Sequence, residues 1–344
     1  MRLTLPLTTL AAITLLAATD PLPQQPPQQP AQQGSNENRR EERREQRQDR
    51  REQRDGGADE SEAEAERRGD SGESEEVDEA QDAKPEKGDY KSPYSLKFKY
   101  PIEQLLFDRH TERGSAAFEG EVPEREWYSE AVRKKFGGWG VAPRKFDCPP
   151  EVREKPADWK RERIIAGASR FIGYDYQHHH VPDWDPPKNW KWNKCCAGHQ
   201  SKGVDCSNFS GWNYNWGLGI HLNTGIHQQA QEATIKGERG EMHAKVIKRP
   251  EGDPDKWYDE ICKTLQPGDL LYIMNSKRTK VTHVIMWIGE CGQSPDGTPL
   301  IMDSTGGKIK DCEGHAIPCG IHLRPFKKGS WYHKSFSHAH RWVE

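Results

Sequence analysis

Residues 203–212, GVDCSNFSGW, decide how this chain is read. A glycine turn leads to Asp205, Cys206 and Ser207, and an aromatic run at helical spacing follows. A helix is therefore expected from about Cys206 to Trp216, with Gly217 and Gly219 as its stops. That places a thiol at a helix N-terminus. Peptide dipoles favour an anion there, and the residue's own N–H is a donor for a developing oxyanion. Downstream come LQPGDLLYI at 265–273, THVIMWIG at 282–289 and LIMDSTGG at 300–307. Strands are expected near 269–274, 282–289 and 300–303, carrying His283 and Asp303. Thiol, imidazole and polar orienter are the three parts that sulfur attack on a carbonyl requires. Cys206 is the candidate nucleophile, His283 the base and Asp303 the orienter, with Ser304 as the alternative orienter.

Each residue also has a plainer reading. Cys206 alone reads as a buried or disulfide-bonded cysteine, His283 as a core histidine and Asp303 as a cap for the turn before Gly306 and Gly307. The ordered set favours chemistry for the first two and leaves Asp303 evenly divided.

The motifs resemble those of the NlpC/P60 cysteine peptidases, papain-like cell-wall hydrolases. DCSNF at 205–209, LQPGDLLYI, THVIMWIG and the preceding ASRFIGYDY at 168–176 appear in the family's order. The resemblance covers roughly residues 158–310. It implies an α+β fold, an antiparallel sheet packed against an N-terminal helical part, with the nucleophile at a helix N-terminus. It also implies hydrolysis of peptidoglycan stem peptides between D-glutamate and a diamino acid, through a thiol acyl-enzyme and without a cofactor. Carried over residue by residue, Cys206 and His283 are the catalytic pair, Tyr176 is the active-site tyrosine, and Asp205 and Ser207 contact substrate. Two departures stand out. The family's third residue is usually His, Asn or Gln, where this chain has Asp303. Its Y-x-W-G-G loop is missing, and HHHVPDWDPP at 178–187 takes its place.

Composition sets the organisation. Hydrophobic residues make up 33% and charged residues 31% of 344, and the mean hydropathy is −1.04, too polar for one packed body. The deficit is local. All 12 tryptophans and all 8 cysteines lie in residues 90–344. Residues 1–19 read as a signal peptide: Arg2, an apolar run from Leu3 to Ala18, and small residues at Ala17, Ala18 and Thr19. The run is short for a bilayer span of about 20 residues, so cleavage is expected, leaving no membrane span and a secreted, periplasmic or envelope location. Residues 20–89 are Pro/Gln-rich and then charged, and read as a disordered linker. Residues 90–157 are an N-terminal extension without an assigned role, with one helix-like piece around 124–135, and 158–344 form the catalytic domain. A helix is expected from Trp159, ended by Gly173. The net charge of −3 singles out no partner, and no nucleic acid is expected.

Export bears on the cysteines, since thiols outside the cytoplasm tend to oxidise. With Cys206 free, seven remain, and Cys312 and Cys319 around a short loop are a reasonable pair. His178, His179, His180, Cys195, Cys196 and His199 invite a zinc reading, but their spacing matches no standard ligand set, and no metal is assigned. Trp184, Trp190 and Trp192 suit stacking on sugar rings, though packing is the commoner use. Besides the wall peptidase, two other functions fit: a thiol amidase or acyltransferase of related fold, and a non-catalytic envelope-binding module.

Overall fold

The computed structural model describes residues 90–109, 119–190, 200–237, 240–307 and 309–344, all within one unit, Asp78–Glu344. The expected signal peptide and linker lie outside the described residues. The centre is a six-stranded antiparallel sheet. Its strands are β1 (Lys245–Lys248), β2 (Leu270–Met274), β3 (Val281–Trp287), β4 (Leu300–Thr305), β5 (Gly320–Pro325) and β6 (Phe336–Arg341), in the order β5-β4-β3-β2-β6-β1.

Both faces of this sheet are covered, which is why LLYIM and HVIMW read as unbroken apolar runs. Leu270, Tyr272, Val284 and Met286 face helices α1 (Ala157–Ser169) and α2 (Cys206–Leu218). Leu271, Ile273, Ile285 and Trp287 pack in a second core with α3 (Pro254–Thr264) and the single turn α4 (Trp331–Lys334).

Helix α2 is buried along its whole length despite its serines and asparagines. Several of its polar side chains find buried partners: Ser210 Oγ donates to the Cys206 carbonyl, Asn213 Nδ2 to the Phe209 carbonyl, and the Tyr214 hydroxyl to the Gly268 carbonyl at 2.6 Å. Gly219, at φ +65°, ends the helix in the left-handed conformation. Gly217, expected as a stop, lies inside it, and α1 ends at Ser169, before Gly173. The two helices approach closely because Gly167 has no side chain; a Cβ there would lie 2.7 Å from the Trp216 ring.

The extension does not stand apart. Tyr94, Leu105, Leu106, Trp127, Val132, Val141 and Val152 are buried in the same core as α1 and α2. The helix expected over 124–135 is two pieces, Glu124–Glu126 and Glu130–Phe136. The disulfide expected of Cys312 and Cys319 is not formed, and both are free thiols. The pairing of Lys310 with Ala316 and Ile309 with Ile317 puts Cys312 at the hairpin tip and Cys319 at its base, so the strands hold them apart. Trp184 and Trp190 are buried edge to face on each other, which is packing, while Trp192 lies outside the described residues.

Candidate active site

The segment before α2 is gripped by backbone. Gly203 bridges Asp175, and a Cβ on Gly203 would sit 2.1 Å from the Asp175 carbonyl oxygen. A Cβ on Gly320, at φ +104°, would meet the Tyr174 carbonyl at 2.0 Å. Ser304 Oγ donates to the Val204 carbonyl, fixing β4 to this segment. The chain then turns into α2 with Asp205 as N-cap. Its Oδ1 accepts from the Asn208 N–H at 2.9 Å and from Ser207 Oγ at 3.2 Å, and its Oδ2 accepts from Asn208 Nδ2 at 2.9 Å. Cys206 is thus the first residue of the helix, buried, with a backbone N–H that has no partner inside the helix.

His283 is buried on β3, close enough to the Cys206 side chain for the two to interact electrostatically. Its Nε2 meets Asp303 Oδ2 at 2.7 Å. Burial alone would pull this imidazole down. The Cys206 charge and the hydrogen bonds to Asp303 and Cys206 overcome it and hold the ring at about 9, above the ordinary 6.5. Asp303 has no exposure and three partners: His283, the Tyr332 hydroxyl donating to Oδ2 at 2.6 Å, and Arg324 Nε donating to Oδ1 at 2.8 Å. Burial pushes its carboxyl up, but Arg324, His283 and Tyr332 outweigh that and keep it below the usual 3.8. The result is an imidazole bonded to an anchored carboxylate, with the helix-terminal thiol near the ring.

The other expected contacts are near the line. Ser207 Oγ donates to the Thr224 carbonyl at 2.6 Å as well as to Asp205. Tyr176 is half-buried, stands edge-on to His178 at 5.8 Å, and lies beside Gly306, just past the strand that carries Asp303. Ser304, the alternative orienter, is committed to the Val204 carbonyl. Among the described residues no cluster of three or more His, Cys, Asp or Glu is arranged to hold a metal; Cys195, Cys196 and His199 lie outside them. Arg324 and Tyr332, which fix the carboxylate, were missed in the sequence. A buried strand such as GIHLRP that carries an arginine was the available signal.

No family model matches the chain, and no curated protein matches it. Two solved structures are similar at low level. One is an NlpC/P60 family protein from Bacillus cereus ATCC 10987, with 16% identity and a TM-score of 0.30, over 54% of this chain and 40% of that one. The other is the NlpC/p60 domain of the peptidoglycan hydrolase SagA, with 16% identity and a TM-score of 0.26, over 54% of this chain and 97% of that domain. The chain thus spans about 40% of the length of the first. Likeness of this degree decides nothing by itself. Among the described residues no helix is long and apolar enough to cross a membrane.

Proposed function

We propose that this protein is an exported cysteine peptidase of NlpC/P60 type that hydrolyses peptidoglycan stem peptides at the bond between D-glutamate and a diamino acid. The observation that carries the chemistry is geometric: a buried imidazole whose Nε2 lies 2.7 Å from a buried carboxylate, near a thiol at the first position of a helix. A carboxylate-anchored imidazole beside a helix-terminal thiol is the arrangement in which a base can take the proton of a sulfur nucleophile.

In the proposed cycle the Cys206 sulfur attacks the scissile carbonyl carbon, and the Cys206 N–H donates to the oxyanion. The intermediate collapses as the carbon–nitrogen bond breaks, and His283 gives its proton to the departing amine. A thioester remains. Water then attacks it, His283 takes the water's proton, and sulfur leaves with the enzyme regenerated. Asp303 holds the ring in one tautomer throughout, with its other oxygen fixed by Arg324. The substrate bond comes from the sequence resemblance, and export from the reading of residues 1–19 as a signal peptide.

The test is release of peptides from purified wall material, analysed by mass. Cys206→Ala abolishes release, and an electrophile labels the wild-type thiol near neutral pH but labels His283→Ala weakly. Undiminished release by Cys206→Ala removes the proposal, and a product set of transferred acyl groups selects the acyltransferase instead.

A further inference from the structure

Next to His283 stands a side chain that the proposed chemistry does not use. Trp331 is 44% exposed, a large hydrophobic left open to solvent. Its ring centroid is 5.9 Å from that of His283 and 5.3 Å from that of Tyr332. A single exposed tryptophan is ordinary on a protein surface. This one stands on a turn whose next two side chains are anchored in the core. It opens α4, whose N-cap Ser330 accepts from the His333 N–H. The neighbouring Tyr332 is buried and bonded to Asp303, and His333 is buried with Nδ1 accepting from the Gly329 N–H at 2.9 Å and Nε2 against the Pro254 carbonyl at 3.0 Å. Two consecutive side chains lock inward, and the third, Trp331, is presented outward over the imidazole.

The position defines which part of a substrate meets it. His283 passes its proton to the departing amine, so the leaving group rests against that ring, and a side chain on the leaving residue reaches Trp331. An indole face offers apolar contact to a methylene chain, and to a cation at its end. We infer that Trp331 reads the leaving residue, favouring one whose side chain has a long hydrocarbon stem, as a diamino acid has, over one with a short side chain. This rests on the peptidase reading given above.

Binding is measured on Cys206→Ala, where no turnover is needed, by calorimetry with two peptides: γ-D-glutamyl-lysine and γ-D-glutamyl-glycine, each extended at the N-terminus by L-alanine. The expected result is tighter binding of the lysine peptide, with a preference that falls roughly tenfold when Trp331→Ala is added and is largely kept by Trp331→Phe. In the otherwise wild-type enzyme, Trp331→Ala raises KM for the lysine peptide, leaves the glycine peptide unchanged, and leaves the pH profile of kcat in place. No preference in Cys206→Ala, equal loss for both peptides, or a shifted pH profile overturns the inference. Failure of the peptidase reading looks different: the wild type cleaves neither peptide while the binding preference and its loss on Trp331→Ala persist.

Discussion

Replacing Asp303 by alanine tests the charge network where it is most exposed to refutation. Asp303 and Arg324 are both fully buried, and the guanidinium Nε lies 2.8 Å from Oδ1. Removing one member of a buried ion pair leaves the other charge without compensation, which costs about 3–5 kcal/mol. Solvent cannot screen it, because neither side chain is exposed. Asp303→Ala also strands the Tyr332 hydroxyl, which donates to Oδ2 at 2.6 Å. For a folded body of this size the expected drop in melting temperature is about 6–20 °C. The double variant Asp303→Leu/Arg324→Met removes both charges and recovers most of that loss, since apolar replacement of a buried pair is close to neutral. Activity does not recover, because His283 has lost the group that orients it. Urea unfolding and wall-peptide release on the three proteins decide the matter. If Asp303→Ala costs under about 1 kcal/mol, or the double variant is as unstable as the single, Asp303 does not balance Arg324 and the reasoning fails.

Two further outcomes follow from the same geometry. Asp205→Ala removes the cap of α2 and costs about 1 kcal/mol, whereas Asp205→Asn keeps most of it; equal losses by denaturant titration would mean capping is not what this carboxylate does. The pH dependence has a definite sign: an imidazole raised from 6.5 to about 9 in the folded state lends stability that is complete below 6.5 and fades as the pH climbs through about 9. The free-energy gap between wild type and His283→Gln therefore narrows between about pH 6 and about pH 10, and a gap that widens contradicts the ion pair.

Helix α2 was legible because its boundaries are chemical. An aspartate that can cap and a glycine that can adopt positive φ stand at its two ends, and only the interior Gly217 misled. Strands β2, β3 and β4 were legible as apolar runs buried on both faces. Strands β5 and β6 were not. GIHLRP and FSHAHR carry arginines and histidines that look like surface, yet Arg324 and His340 are buried because carboxylate, carbonyl or ring partners await them across the fold. Helix α3 was overlooked although its signals were present: Asp253 before Pro254, and Trp257, Tyr258 and Ile261 on one side. At the site, the order of motifs along the chain is what nominates Cys206 and His283. Arg324 and Tyr332 bond Asp303 across 21 and 29 residues of chain, and no local pattern announces such a contact.

The extension, which the sequence left without a role, is explained by what α1 leaves unfinished. Arg163, with no exposure, donates from Nε to the Gly217 carbonyl at 2.6 Å, from Nη1 to the Leu105 carbonyl at 2.5 Å and from Nη2 to Asp108 at 3.0 Å. Glu162, also buried, accepts from the Lys99 and Tyr100 N–H groups. Arg170 pairs with Glu119, and Asn215 on α2 bonds to Arg144 and Phe146. One face of α1 therefore carries charges whose partners come before residue 157. A chain beginning at residue 158 would bury, or expose with a rearranged core, a glutamate stripped of its Lys99 and Tyr100 partners and an arginine left with the Gly217 carbonyl alone, at several kcal/mol each. That is comparable to the whole stability of a domain. The truncated chain is expected to show no cooperative thermal transition, while a chain beginning at residue 90 melts like the full protein. A folded, cooperatively melting fragment from 158 would show that the extension decorates the site-bearing core and does not complete it.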